Sequence, residues 1–136
     1  MKKDQYLAVN SSFQRLYDEY KKYGSLVIAY DFDNTVYDFH SGGHTYTEVI
    51  ELLRDLKSLG CFLTVWTANS DEQLVAQYLH MNEIPFDAIN ENPPFWKGTE
   101  RKIYYNALLD DRAGLAQVFS ELRQLVTIIS FETKKA

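Results

Sequence analysis

Two pairs of aspartates each follow an apolar run of the sequence. Asp31 and Asp33 come after the segment LVIAY, and Asp110 and Asp111 come after the segment ALL. Four carboxylates in one crevice would repel each other strongly unless a cation lay between them. Oxygen ligands of this kind suit a hard divalent ion, above all Mg²⁺. The four aspartates are therefore predicted to bind Mg²⁺.

A third polar group follows another apolar run. Thr67, Ala68 and Asn69 lie where a predicted strand ends and a helix begins. A hydroxyl group and free backbone N–H groups at a helix N-terminus bind phosphate oxygens well, so these three residues are predicted to bind phosphate. A lysine would neutralise the remaining phosphate charge, and Lys102 and Lys97 are the two candidates.

The pattern of apolar residues predicts strands that alternate with helices. Continuous apolar runs predict buried strands at 26–32 and 61–67. A short strand is predicted at 86–89 and a fourth, apolar strand at 107–109, with a start at Tyr104 as the alternative. Helical spacing predicts helices at 4–23, 46–59, 70–79 and 114–125, the third of them capped by Ser70. This alternation predicts an α/β fold with a Rossmann-like, doubly wound parallel sheet in three α/β/α layers. Because parallel strands end at one edge of the sheet, the three polar groups are expected to share a crevice there.

The three polar motifs, and their order along the chain, resemble those of the haloacid dehalogenase-like (HAD) phosphohydrolase superfamily. The matching segments are DFDNT at 31–35, WTANS at 66–70 and LLDDR at 108–112. The chain looks closest to small capless members, because the intervals between the motifs have no room for a cap domain. The resemblance covers 26–115 and implies a single HAD-like domain over 1–136, with the helices at 4–23 and 114–125 as additions.

The resemblance also implies a mechanism. Asp31 would be the nucleophile that forms an aspartyl-phosphate, and Asp33 would be the general acid and base. Mg²⁺ would screen the repulsion between Asp31 and the phosphate. Thr67 and a lysine would hold the phosphate oxygens, and the resemblance favours Lys102 over Lys97.

Histidines and aromatic residues near the motifs are candidates for contact with the leaving group of the substrate, but each also has a simpler structural interpretation. His40 and His44 lie in the loop after the first motif and are predicted to be solvent-exposed, with contact to the leaving group as the alternative. Phe95 and Trp96 follow two prolines and are candidates for a substrate wall or for packing under their loop. Trp66 lies between apolar strand residues and is predicted to be part of the core.

The charge and composition of the chain limit the classes of molecule that it is expected to bind. The 136-residue chain has 14 basic and 19 acidic residues and a net charge of −5. This balance disfavours long nucleic acid and anionic membranes, which need clustered cations, but leaves a nucleic-acid end open. Arg112 could pair with a carboxylate or bind substrate. The single cysteine, Cys61, excludes an intrachain disulfide, and without a signal-like or membrane-spanning run the sequence predicts a cytoplasmic location.

The predicted function is a Mg²⁺-dependent phosphatase that acts on a small phosphomonoester, such as a nucleotide. The alternative is a phosphate-binding or phosphoacceptor module without turnover, similar to a response-regulator receiver. Receivers carry adjacent acids on their first strand, whereas the adjacent pair in this chain follows the last predicted strand, so the motif order favours the phosphatase. A homo-oligomer could supply a wall to the open crevice.

Overall fold

Four short parallel strands form the sheet of the computed structural model, which describes residues 4–98 and 101–135. The strands are β1 (Val27–Tyr30), β2 (Phe62–Val65), β3 (Ala88–Ile89) and β4 (Ala107–Leu109). Their order across the sheet is β3-β2-β1-β4, and each adjacent pair is parallel. The predicted α/β, Rossmann-like parallel sheet is confirmed, and the described residues contain no cap domain.

In the part of the chain that the structure describes, four α-helices and one 3₁₀ turn accompany the sheet. They are the 3₁₀ turn Gln5–Leu7, α1 (Ser11–Tyr23), α2 (Thr47–Ser58), α3 (Glu72–Met81) and α4 (Leu115–Lys135). Within the ranges 4–98 and 101–135, no helix combines the length and the apolar character that crossing a bilayer requires.

The two terminal helices differ from their predicted ranges. The helix predicted over 4–23 is interrupted, because Asn10 adopts a left-handed conformation with φ of 70° between the 3₁₀ turn and α1. The helix predicted over 114–125 continues to Lys135. Its extra turns bury Val126 and Ile129 in the core, so packing against the rest of the chain supports a helix that the motif-bearing region did not require.

One face of the sheet carries the hydrophobic core. Ile28 and Tyr30 of β1 and Leu63 of β2 belong to a single buried cluster that also contains residues of all four helices. Direct contacts join α1 to α4 and α2 to α4. The helices therefore gather over the face to which these alternate strand residues point.

The opposite face of the sheet is covered by an irregular segment. The hydroxyl group of Thr64 donates a hydrogen bond to the carbonyl of Glu91 at 2.9 Å. Further along, Trp96 stacks on Tyr104 with ring centroids 4.7 Å apart, and both rings line a cavity beside Phe62. In the described part of the chain, the predicted third layer is thus an extended segment rather than a helix.

Asn106 joins the start of β4 to β1 and α1. Its backbone N–H donates to the Val27 carbonyl at 2.8 Å, and its Oδ1 accepts from the Val27 N–H at 2.6 Å. Its Nδ2 donates to Glu19 at 3.2 Å, and its carbonyl accepts from Arg15 at 2.8 Å. Because β4 has only three residues, these bonds fix the level at which the chain leaves the sheet at Asp110.

We expect Asn106→Ala to lower the free energy of unfolding by about 2–3 kcal/mol, because the buried Val27 N–H would lose its acceptor. Urea unfolding would measure the change. Gln14→Ala is the control, since that amide bonds an exposed carboxylate on α1 and its loss should cost no more than about 0.5 kcal/mol. Equal effects of the two substitutions would contradict the assigned role of Asn106.

Candidate functional site

The carboxyl ends of β1, β2 and β4 open onto one cavity of about 520 Å³. The loops that follow these strands supply its lining residues, which are Asp31, Asp33, Asn34, Phe39, His40, Trp66, Thr67, Ala68, Asp110, Asp111 and Arg112. The parallel order of the strands thus gathers residues from all three sequence motifs at one edge of the sheet.

The hydrogen-bond ladder of the sheet continues one residue beyond the strands and positions Asp31. The last residue of β1 lies between the last residues of β2 and β4. The Asp31 N–H donates to the Leu109 carbonyl at 2.9 Å, and the Trp66 N–H donates to the Tyr30 carbonyl at 2.8 Å. Positions 31, 66 and 110 are therefore lateral neighbours on three strands, which lie about 4.8 Å apart.

Three aspartates form an acidic cluster in the cavity. Asp31, Asp110 and Asp111 each contribute one carboxylate oxygen, and these oxygens lie within 4.8 Å of one another. An all-oxygen set with this charge fits a hard divalent cation such as Mg²⁺, which binds few carboxylates and retains several waters. Asp33 lines the same cavity but is not part of this cluster, so three of the four predicted metal ligands come together.

The cluster changes the acidity of Asp31, whose pKa is raised to about 7. Burial of the carboxyl group is the largest cause, followed by the negative charge of Asp110 and a hydrogen bond with Asp111. A hydrogen bond from the backbone of Phe32 offsets part of this increase. A cation bound among the three carboxyl groups would favour the charged form of Asp31, so the donor set and its electrostatics both fit a metal.

Asp33 lies in the tight turn that follows β1. Asn34 has a left-handed backbone with φ of 60°, and its N–H donates to the Tyr37 carbonyl at 2.8 Å. The Tyr37 N–H donates back to the Phe32 carbonyl at 3.0 Å. The rings of Phe32 and Tyr37 stack with their centroids 4.8 Å apart. This turn returns the chain toward the cavity, so that Asp33 and Asp31 line the same space.

The segment after β2 forms a second turn, which leads into α3. The hydroxyl oxygen of Thr67 accepts from the Asn69 N–H at 3.1 Å, and Asn69 Oδ1 accepts from the Asp71 N–H at 2.9 Å. Asp71 caps the helix by accepting from the Leu74 N–H at 3.0 Å. The predicted cap at Ser70 is therefore wrong, because Asp71 offers the carboxylate at the position where α3 begins.

The predicted phosphate-binding residues of this segment separate into two groups. Thr67 and Ala68 line the cavity that contains the aspartates, and Asn69 does not. The Thr67 N–H donates to Asn90 Oδ1 at 2.8 Å, and the Thr67 carbonyl accepts from Asn90 Nδ2 at 2.9 Å. With its backbone groups engaged, Thr67 retains its hydroxyl proton as a donor to a ligand.

Among the residues that the structure describes, the lysine or arginine that lines this cavity is Arg112. Lys102 lines a different cavity, beside Trp96 and Tyr104, and Lys97 lines neither one. Arg112 lines the cavity of the aspartates, and its backbone N–H donates to Asp110 Oδ1 at 2.9 Å. Over residues 4–98 and 101–135 its guanidinium group forms no ion pair, so it is available to a ligand.

The aromatic residues of the cavity differ from those that the sequence suggested. Trp66, predicted to be part of the core, is 39% exposed and lines the cavity together with Phe39 and His40. Phe95 and Trp96, the candidate substrate wall, lie on the covered face of the sheet instead. The strand was predicted to end at residue 67, but β2 ends at Val65, so Trp66 belongs to the loop that follows it.

Comparisons with known proteins support the fold. No protein-family model and no curated protein matches the sequence. A conserved protein from Bacteroides thetaiotaomicron has a similar structure, with a TM-score of 0.59, 22% identity, and coverage of 74% of this chain and 91% of that chain. A target protein from Vibrio cholerae gives a TM-score of 0.45 and 21% identity, over 76% of this chain and 96% of that chain. The first likeness agrees with the Rossmann-like α/β fold and carries no information on function.

We expect the metal-free protein to lose stability as the pH rises from about 4 to about 7. The pKa of an unfolded aspartate is about 3.9, and that of Asp31 in the folded chain is about 7. The folded state therefore holds the extra proton in this window, and its stability falls as that proton is lost. Asp31→Asn should remove this dependence and raise Tm at pH 8 by roughly 3 °C or more.

Thermal unfolding in EDTA at several pH values would measure this effect. Asp18→Asn, on the exposed surface of α1, is the control and should leave the pH dependence intact. An Asp31→Asn variant that loses stability over the same pH range as the parent protein would show that another group is responsible.

Proposed function

We propose that this chain is a divalent-cation-dependent phosphatase of the haloacid dehalogenase-like type that acts on a small phosphomonoester. The observation that carries the proposal is the set of carboxylate oxygens of Asp31, Asp110 and Asp111 within 4.8 Å of one another. Thr67 and Arg112 line the same cavity and can bind the oxygens of an anion. The order of the DFDNT, WTANS and LLDDR segments supports the same assignment.

The acidic cluster is the proposed metal site. Asp31, Asp110 and Asp111 would hold Mg²⁺, which when bound supplies neutralisation of phosphate charge and polarisation of the phosphoryl oxygens. Asp110 is positioned for this role by the bond that its Oδ1 accepts from the Arg112 N–H, which fixes the turn after β4. The main-chain bond from Asp31 to Leu109 fixes the other ligand relative to that turn.

Asp31 and Asp33 have different catalytic roles in this proposal. An Asp31 carboxylate oxygen attacks phosphorus while the bond to the leaving oxygen breaks, which gives an aspartyl-phosphate. Asp33 donates a proton to the leaving oxygen and then accepts one from the water that hydrolyses the intermediate. Because Asp33 lies in the cavity but outside the cluster of oxygens, its carboxyl group is available for proton transfer.

Thr67 and Arg112 hold the phosphate in this proposal. The Thr67 hydroxyl donates to one phosphate oxygen, and the guanidinium group of Arg112 supplies charge-assisted hydrogen bonds. Arg112 thus replaces the lysine that the resemblance implied at Lys102, which lines another cavity. Its fixed, forked geometry suits the tetrahedral oxygens of a phosphate that must be aligned for attack.

We expect phosphate release from p-nitrophenyl phosphate in the presence of Mg²⁺ and its loss in EDTA. Asp31→Asn should lower kcat by on the order of 10⁴-fold, because the nucleophile is removed. Asp33→Asn should lower it by about 10²–10⁴-fold, as expected for a general acid and base. Asp18→Asn, remote from the cavity, is the matched control for the loss of one carboxylate.

Two results would contradict the phosphatase proposal. Full turnover by Asp31→Asn would exclude that residue as the nucleophile. Binding of Mg²⁺ and inorganic phosphate by the folded protein, without turnover of any phosphomonoester, would instead indicate a phosphate-binding module. Isothermal titration with Mg²⁺ and with phosphate, run beside the activity assay, separates these cases.

We expect Arg112→Ala to lower kcat/KM for p-nitrophenyl phosphate by about tenfold or more, since a charge-assisted hydrogen bond to phosphate is lost. Lys102→Ala should change it by no more than about twofold. Steady-state kinetics of the two variants make the comparison, with circular dichroism as the check on folding. A larger loss in Lys102→Ala would return the phosphate-binding role to the lysine.

A further inference from the structure

Trp66 lies beside the proposed nucleophile and is partly exposed. The ladder bond from the Trp66 N–H to the Tyr30 carbonyl places it one strand away from Asp31. Both side chains line the same cavity, and the Trp66 residue is 39% exposed. A large aromatic ring at this position leaves apolar surface in water next to a cluster of carboxylates, an arrangement that packing of the protein does not require.

The cover of this sheet face ends just below Trp66. Thr64, two residues earlier and therefore on the same face, is fully buried and bonds the Glu91 carbonyl. Trp66 follows the end of β2 and is 39% exposed, whereas Phe95 and Trp96 of the same covering segment pack lower on the face. The indole ring is thus a surface of the cavity rather than an outlying part of the core.

Phe39 is a second aromatic side chain in the cavity, and it comes from a different loop. It is 55% exposed and contacts His40 edge-on at 5.0 Å. Its N–H donates to the Tyr37 carbonyl at 2.9 Å, and the neighbouring Asp38 carboxylate accepts from the backbone of Gly43 at 2.8 Å. These bonds fix the backbone of the loop that brings Phe39 to the lining of the cavity.

Resting on the proposed function, we propose that the substrate is a free nucleoside 5′-monophosphate whose base stacks on Trp66, with Phe39 as a second apolar wall. The phosphate would lie at Asp31 and Arg112, and the base would cover the exposed indole. A sugar phosphate has no planar ring with which to cover that surface. The cavity of about 520 Å³ lies within the roughly 300–1,000 Å³ typical of small-ligand sites.

The net charge of the chain and the presence of Arg112 in the cavity favour a free nucleotide over a long strand. The chain carries a net charge of −5, and polynucleotide binding requires a run of cations along the backbone. Among the described residues, the cavity is lined by one arginine, which matches one phosphate group. Stacking tolerates any base because each has a planar face, so the assigned class is nucleoside monophosphates rather than one particular base.

Adenosine 5′-monophosphate and ribose 5-phosphate isolate the contribution of the base, because both release a primary alcohol from the same sugar position. We expect kcat/KM to favour the nucleotide by about ten- to hundredfold, the range that stacking of one base provides. Trp66→Leu should bring this ratio close to one, and Trp66→Phe should retain most of it. Phe131→Leu, an exposed aromatic on α4 that is absent from the cavity, is the control and should leave the ratio unchanged.

A binding measurement separates failure of this inference from failure of the phosphatase proposal. In an Asp31→Asn, Trp96→Phe variant, Trp66 is the only tryptophan, so its fluorescence reports contact with the base. Quenching by adenosine 5′-monophosphate but not by ribose 5-phosphate would support the inference even if the parent protein had no turnover. Equal responses to the two compounds, or turnover of both with equal kcat/KM, would overturn it while leaving the phosphatase intact. A preference for a 5′-phosphorylated oligonucleotide over the free nucleotide would also overturn it.

Discussion

The packing of three carboxyl groups into one partly buried cluster is the constraint on which the rest of this structure depends. Oxygens of Asp31, Asp110 and Asp111 approach within 4.8 Å, and burial, followed by the negative charge of Asp110, raises the pKa of Asp31. Such a cluster persists only when the backbone leaves its members no alternative position. Main-chain bonds from β1 to both neighbouring strands supply this restraint, and the core beneath β1 holds the strands in place.

Hydrogen bonds of two asparagine side chains position the strand ends at this edge of the sheet. Asn106 ties the start of β4 to β1 through both backbone and side-chain bonds, so three residues suffice to carry the chain to Asp110. At the other side, Asn90 binds both backbone groups of Thr67 and fixes the end of β2. Two asparagines, one at each end of the strands, thus set the relative heights of the loops that meet at the cavity.

The sequence predicted the sheet well because buried parallel strands have a simple signature. The apolar runs at 26–32 and 107–109 and the acids that follow them needed only the rule that parallel strands end at one edge. The sequence did not predict which cation would share the cavity. Arg112 reaches the cavity because it directly follows the acids at the end of β4. Whether Lys102 does so depends on how the segment around Pro93 and Trp96 crosses the sheet, and that course is decided by stacking on Tyr104 and by bonds such as Thr64 to Glu91. Contacts of that kind produce no periodic pattern of apolar residues that sequence analysis could detect.

Trp66 shows a related limit. Its apolar neighbours suggested a buried strand residue, but hydrophobic character alone does not reveal where the cover of a sheet face stops. Asp71 was overlooked as the cap of α3 for a different reason, since Ser70 and Gln73 also satisfy a capping pattern and only the backbone course selects between them. Both errors concern the boundaries of elements, where a local sequence pattern is compatible with more than one end residue.

The strand order has a consequence for how this chain can meet other chains. The sheet places its shortest strands at its two edges, with two residues in β3 and three in β4. An edge strand becomes a template for aggregation when it offers a long row of unpaired N–H and C=O groups. Edges of two and three residues offer few such groups, so addition of a foreign strand would gain little. Self-association of this chain would accordingly rely on side-chain surfaces rather than on extension of the sheet.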